Sequence, residues 1–148
     1  MTPEQKPAFA LEFYAAQDGT KPVLDWLRSL EDAKRRAIGV ALYEVLQHMG
    51  IAVCGTEFGK NLGHGIFEFR VRHTAAEVLG RREQARPRDL DAVGADILLR
   101  VYCHAYGDKV ILLLAAYDKG KSPGRKRENR EIELAKSRLA DFRRTRGR

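Results

Sequence analysis

The stretch VILLLAAY (110–117) constrains the fold more than any other feature, because it is apolar at nearly every position. A strand with one solvated face alternates apolar and polar side chains, whereas a strand buried on both faces is a continuous apolar run. The stretch therefore predicts a strand with packed layers on both sides. A chain of 148 residues can build such a core, and we expect a single domain over 1–148.

Three other stretches alternate apolar and polar residues with the period of two that is typical of strands. They are FALEFY (9–14), IFEFRVRH (66–73) and ILLRVYCHAY (97–106). The last is joined to the apolar run by YGDK, which predicts a hairpin turn. We therefore expect an antiparallel sheet built from these strands.

Helical spacing follows the first strand. Pro22 opens a short helix, apolar residues recur at helical spacing from Ile38 to Met49, and Gly50 ends the pattern. ENREIELAKSRLADF (128–142) predicts a C-terminal helix with one apolar side. The order β-α-α-β-β-β-α predicts an α+β fold, in which an N-terminal strand and an α-hairpin pack on a twisted antiparallel sheet, followed by the C-terminal helix.

Two segments interrupt this pattern. GTEFGKNLGHG (55–65) is rich in glycine and we interpret it as a loop, whereas 74–96 is polar and predicts a long insertion. A basic tail is expected to end the chain. No apolar run is expected to be long enough to span a bilayer. The first residues do not resemble a signal peptide. The two cysteines are too few to form a framework of disulfides. These features predict a cytoplasmic protein with reduced thiols.

The polar positions of two strands are predicted to share one side of the sheet. If 66–73 and 97–106 pair, their odd positions bury against the helices and their even positions line an open, concave face. That face holds Glu68, Arg70, Arg72, Arg100, Tyr102 and His104.

These residue types suit the cleavage of RNA without a metal ion. The reaction needs a base near the ribose 2′-hydroxyl, cations around the phosphorane and an acid for the leaving 5′-oxygen. Glu68 or His104 is the candidate base, Arg100 and Arg70 are the candidate cations, and Tyr102 or His104 is the candidate acid. The rings of Tyr102 and Tyr106 are also candidates for stacking on splayed bases.

Simpler interpretations stay open for the same residues. Alternating polar side chains are typical of any half-exposed sheet, Glu68 beside an arginine is compatible with a cross-strand ion pair, and His104 with an ordinary surface histidine. The histidines and cysteines lack the spacing of a metal site, so we expect neither a metal nor a cofactor.

Positive charge is concentrated at the C-terminal end. Residues 119–148 hold 12 Lys or Arg against 4 Asp or Glu, whereas the first 118 residues hold 15 against 16. Such a cluster suggests a polyanionic partner, although a solvated basic helix has the same composition. The residues predicted to contact RNA are Arg72, Lys119, Lys121, Arg125, Lys126 and Arg127.

Four segments, in this order, carry a family resemblance: KPVLDWLRSL, GIFEFRVR, LLRVYCHAYGDKVILLLAAYDKGKSP and REIELAKSRLADF. Together they resemble toxins of the RelE/ParE superfamily, nearest to the HigB-like, phage-derived branch of type II toxin–antitoxin systems. The resemblance implies a RelE-like fold, metal-independent cleavage of mRNA, commonly on the translating ribosome, and neutralisation by a partner antitoxin.

Position by position, the resemblance places Arg100 at the arginine of the family's YR-aromatic strand and Arg70 at a basic position of the preceding strand. Lys119 and Lys121 match the basic loop after the last strand. Glu68 stands where ribosome-dependent relatives carry a lysine, and the chain lacks the C-terminal tyrosine of RelE, so the proton-transfer roles stay open. The insertion at 74–96 is also longer than the usual connection.

The leading hypothesis is an endoribonuclease toxin (mRNA interferase). Two other classes remain: a ParE-like inhibitor of DNA gyrase, and an RNA- or antitoxin-binding module without catalysis. The row of Arg100, Tyr102 and His104 favours the nuclease. The basic loop with the C-terminal helix, or an exposed sheet edge, is the expected surface for the antitoxin.

Overall fold

The computed structural model describes residues 6–73 and 96–146, which form one five-stranded sheet with helices on both faces. The strands are β1 (Ala10–Phe13), β2 (Gly59–Gly63), β3 (Ile66–His73), β4 (Ile97–Tyr106) and β5 (Val110–Asp118), in the spatial order β1-β5-β4-β3-β2. The predicted α+β class is confirmed. The predicted insertion at 74–96 lies outside the described residues except for Asp96.

The sheet differs from the predicted one in two ways. β1 pairs in parallel with β5, whereas the other neighbours are antiparallel, so the prediction of a purely antiparallel sheet is wrong. The glycine-rich stretch 55–65 contains β2, so its interpretation as a loop is wrong for those residues. Pairing with β3 holds the weak strand sequence GKNLG in place, because strand formation depends on neighbours more than on intrinsic preference.

Helices α1 (Pro22–Ser29) and α2 (Asp32–Ala41) cover one face of the sheet. α2 continues through a π-helical turn (Leu42–Leu46), a short helix α3 (Gln47–Met49) and a 3₁₀ segment (Gly50–Gly55). Gly50 has a φ of 58°, and the ring of Phe9 comes within 2.5 Å of the place that a Cβ would occupy. Only glycine permits this turn at the predicted end of the helical pattern.

The larger core lies beneath these helices. As predicted, the odd-numbered positions of β3 and β4 are buried there: Phe67, Phe69, Val71, Ile97, Leu99 and Val101. Full burial of each large side chain contributes roughly 1.5–3 kcal/mol. Cys103 lies in this core, Cys54 packs at its edge, and both thiols are free. Burial raises the pKa of the Cys103 thiol, which makes it unreactive.

A second helix layer covers the opposite face. Helix α4 (Arg125–Arg146) packs there through Ala135 and Leu139, against Leu112 and Leu114 of β5 among others. A bulge in β5 turns Leu114 and Ala115 to this same side. The apolar run is therefore buried on both faces, as its composition predicts.

Polar contacts tie the C-terminal half of α4 to the sheet. The Tyr14 hydroxyl donates a hydrogen bond to Asp141 at 2.5 Å, and Arg138 donates to the carbonyl oxygen of Leu114 at 2.7 Å. The basic tail expected from the sequence is helical through Arg146, whose guanidinium donates to Glu12 of β1 at 2.8 Å.

One helical stretch, Asp32–Gly55, has the length and composition of a candidate membrane span, with a mean hydropathy of 1.5 in its most apolar window. This corrects the expectation that no apolar run is long enough. Ile38, Leu46 and Val53 of this stretch are fully buried in the core, and a single stretch that also packs as a core helix is weak evidence for a membrane location.

Candidate functional site

Four of the predicted site residues meet on the side of the sheet that faces α4. The register of β3 and β4 sets Glu68 opposite Tyr102 and Arg70 opposite Arg100. Residues directly opposed in an antiparallel pair share a face, with Cβ atoms about 4.5–5.5 Å apart. The period-two pattern of the two strands therefore brings these four side chains together.

Glu68 lies beside both arginines but accepts a hydrogen bond from only one of them. Its Oε2 accepts a hydrogen bond from Arg70 Nε at 2.6 Å and lies 3.7 Å from Arg100 Nε. Glu68 is 1% exposed, whereas the side chains of Arg100 and Arg70 are 13% and 34% exposed. We call Glu68, Arg70 and Arg100 the guanidinium cluster: a buried carboxylate between two cations, of which Arg70 extends furthest toward solvent.

Two buried tyrosines flank the guanidinium cluster. The rings of Tyr102 and Tyr117 are parallel to within 7°, with centroids 6.4 Å apart. Among the described residues neither hydroxyl has a hydrogen-bond partner. Burial, and after it the negative charge of Glu68, raises the pKa of Tyr102, and burial raises the pKa of Tyr117. Both phenols therefore stay protonated at neutral pH.

We expect Tyr102→Phe to raise the free energy of unfolding at neutral pH by about 1 kcal/mol, because a buried hydroxyl without a partner is costly. The unfolded phenol ionises near pH 10, about its ordinary value, and the folded pKa is higher. The free energy of unfolding of the parent is therefore independent of this phenol below about pH 10 and decreases above it. The Tyr102→Phe variant, which has no phenol at this position, should lose less stability above about pH 10 than the parent. Urea unfolding at several pH values measures both effects; a variant destabilised at neutral pH would show that the hydroxyl has a partner.

The face that carries the guanidinium cluster is not open. α4 packs on it, and Tyr102 is fully buried. The expectation of an exposed concave face is therefore wrong, and so is the expectation that Tyr102 stacks on an exposed base. The sequence showed that α4 has an apolar side, but it did not show which face of the sheet that side covers.

His104 lies on the same face but apart from the guanidinium cluster. It is four positions from Arg100 along β4, about 13 Å at the rise of a strand. Its Nδ1 donates to the carbonyl oxygen of Gly65 at 2.7 Å, because a carbonyl only accepts. The His104 ring is parallel to that of Tyr106, whose hydroxyl donates to Glu12. Arg100, Tyr102 and His104 therefore share a face without forming one compact centre.

The basic residues predicted to contact RNA surround the beginning of α4 and the end of β3. Arg72, Arg125 and Lys126 are exposed. Lys119 lies 3.8 Å from Glu128 and Lys121 lies 3.5 Å from Glu31.

Arg127 lies against one of the two tyrosines that flank the guanidinium cluster. Its guanidinium stands 5.2 Å from the ring centroid of Tyr117, the residue that β5 sets opposite Arg100. The Nε of Arg127 also donates to Glu131 at 2.9 Å. This helix position therefore adds a cation at the edge of the cluster.

Two residues of the site were missed by the sequence reasoning. Lys60 of β2 is exposed and stands opposite Glu68 in the register, so it shares the face of the guanidinium cluster. Tyr117 was treated only as part of the apolar run. Lys60 was missed because the loop interpretation of 55–65 removed it from the strands, and GKNLG has no period-two pattern that would have shown its face.

In the parts of the chain that the structure describes, no group of three or more His, Cys, Asp or Glu is arranged to hold a metal ion.

Comparisons with known proteins add no assignment. No protein-family model matches the chain, and no curated protein matches it significantly. The resemblance to RelE/ParE toxins therefore stays a prediction from the sequence.

Proposed function

We propose that the chain is an mRNA endoribonuclease of the RelE/ParE type, the toxin of a type II toxin–antitoxin system. The guanidinium cluster carries this proposal: two arginines from neighbouring strands are held by one buried carboxylate, with exposed cations around them. Guanidinium groups present planar sets of N–H donors that match the oxygens of a phosphodiester.

In the proposed reaction the ribose 2′-oxygen attacks the neighbouring phosphorus and the bond to the 5′-oxygen breaks, which leaves a 2′,3′-cyclic phosphate and a 5′-hydroxyl. Arg100 and Arg70 bind the non-bridging oxygens and stabilise the phosphorane. Arg70, which is partly exposed, turns from Glu68 to the phosphate, and Glu68 accepts the proton of the 2′-hydroxyl. Lys60, beside Glu68 in the register, donates a proton to the leaving oxygen.

The proposal includes a cytoplasmic location, mRNA on the ribosome as substrate and an antitoxin as partner. Helix α4 and the loop before it carry most of the excess positive charge. An acidic segment of the antitoxin would complement this surface, and the complex would then weaken as salt screens the charges.

Expression of the chain in a bacterial host tests the function. We expect growth arrest with cleaved transcripts, and restoration of growth when the antitoxin is co-expressed. Arrest with intact transcripts and gyrase-dependent DNA breaks would instead favour a ParE-like inhibitor and overturn the nuclease proposal.

The burial of Glu68 and Tyr102 favours a second candidate, a module that binds RNA or an antitoxin without cleaving. Such a module would bind RNA with an affinity that falls steeply with salt, and would leave transcripts intact even when ribosomes are supplied. Cleavage by the purified chain excludes it.

A further inference from the structure

A cavity of about 150 Å³ lies between the β2–β3 turn and α4. It is lined by His64, Ile66, Lys136, Leu139, Ala140 and Arg143. We call it the turn cavity. None of its charged residues belongs to the guanidinium cluster, so it is a separate feature of the surface.

Two permanent cations border the turn cavity from α4. Lys136 and Arg143 are seven residues apart, which places them two helical turns apart on one side of the helix. The Lys136 ammonium lies 3.1 Å from Glu133, whose side chain is largely exposed and therefore neutralises it little. These two residues give this side of the cavity a net positive charge.

The β2–β3 turn is shaped to admit Arg143. A Cβ on Gly65 would lie 2.9 Å from Arg143 Nη2 and 3.2 Å from His104 Nδ1, so the absence of a side chain there lets both groups approach the turn. His64, at the tip, has a φ of 57°, a conformation that few residues with a side chain adopt. The turn therefore presents an imidazole opposite the cations of α4.

The floor of the turn cavity is apolar. Ile66 and Leu139 are both 2% exposed and belong to the core beneath α4. Cations at the rim suit phosphate groups, and an apolar floor suits the ring of a base or the carbons of a ribose. This combination matches a single-stranded nucleic acid better than a free inorganic anion.

The turn cavity is close enough to the guanidinium cluster for one strand to contact both. Ile66 precedes Arg70, the residue that the register sets opposite Arg100, by four positions in β3, about 13 Å along the strand. We propose that the turn cavity binds a phosphate and the adjoining nucleoside of the single-stranded RNA whose scissile phosphate lies at Arg100. This inference rests on the proposed function for its substrate.

Binding of a non-cleavable RNA tests the inference. The probe is a fluorescein-labelled oligouridine of about eight nucleotides, methylated at every 2′-oxygen so that the attacking group is blocked. Fluorescence anisotropy gives its affinity between about 50 and 200 mM salt. The proteins are the parent, a double variant Lys136→Gln/Arg143→Gln, and the matched control Arg130→Gln/Arg144→Gln, which removes the same charge from other sides of α4.

We expect the Lys136→Gln/Arg143→Gln variant to bind more weakly and to lower the slope of log affinity against log salt by about 0.7 for each phosphate that the protein no longer neutralises. The control should keep most of the parent's slope. Equal changes in the two double variants, or parental binding by the Lys136→Gln/Arg143→Gln variant, would overturn the inference.

Cleavage of unmodified transcripts separates this inference from the proposed function. If the parent binds the probe through the turn cavity but cuts no transcript, the nuclease proposal fails and the turn cavity stands. If Arg100→Ala abolishes cleavage while the Lys136→Gln/Arg143→Gln variant binds like the parent, the turn cavity fails and the nuclease stands.

Discussion

Replacing Arg100 with alanine is expected to slow RNA cleavage by about 10²–10³-fold, the usual effect of removing a group that stabilises charge in the transition state. The Arg100 side chain is mostly buried beside Glu68, so no neighbouring cation can take its place without moving. The measurement is the rate of transcript cleavage by purified protein in a translation extract.

Two variants make this result specific. Arg100→Lys keeps the charge but loses the planar set of donors, so we expect a rate between those of the parent and Arg100→Ala. Arg130→Ala removes an exposed arginine from α4 and should cleave like the parent. If Arg100→Ala cleaves at the parental rate while remaining folded, Arg100 is not part of the reaction.

Replacing Glu68 with alanine is expected to lower the free energy of unfolding by about 2–3 kcal/mol. The change leaves the mostly buried Arg100 without its counter-charge, and removing one member of a buried pair costs several kcal/mol. The expected loss is smaller than the roughly 3–5 kcal/mol typical of a fully buried pair, because Arg70 is one-third exposed and can turn to solvent. Urea unfolding followed by circular dichroism measures the loss.

A double-mutant cycle isolates the interaction. Arg70→Ala alone should cost less than about 1 kcal/mol, because a partly exposed ion pair is screened by solvent. In the Glu68→Ala/Arg70→Ala variant the two losses should not add, since the residues contact each other. Additive losses, or a Glu68→Ala variant as stable as the parent, would show that Glu68 does not hold the cluster together.

The features predicted correctly from the sequence depend on residues that are close together in the chain. Alternation in 66–73 and 97–106 assigned the buried and polar faces, because the side chains of a strand alternate whatever packs against it. The same alternation predicted that Glu68, Arg70, Arg100 and Tyr102 share one face of the sheet, which the register of β3 and β4 confirms. The apolar run of β5 likewise predicted layers on both sides of the sheet.

What the sequence did not predict depends on contacts between distant parts of the chain. The parallel pairing of β1 with β5 leaves no pattern in either strand. An apolar side on α4 shows that the helix packs, but not that it covers the polar face and buries Tyr102.

A shared face also does not give distance along the strand. For that reason His104 looked like a neighbour of Arg100 in the sequence, although the structure places it at the β2–β3 turn with Gly65. Period-two reasoning assigns a side chain to a face, and only the register and the turn geometry assign it to a site.

The most direct test of the mechanism is the chemistry of the RNA ends made by the purified chain in a translation extract, with and without ribosomes. Attack by the 2′-oxygen must leave 5′-hydroxyl and 2′,3′-cyclic phosphate ends, and these should form about 10²–10³-fold more slowly with Arg100→Ala. Ends carrying a 5′-phosphate, which require water as the attacking group, or transcripts left intact by the parent, would contradict the proposal that the arginines held by Glu68 cleave RNA.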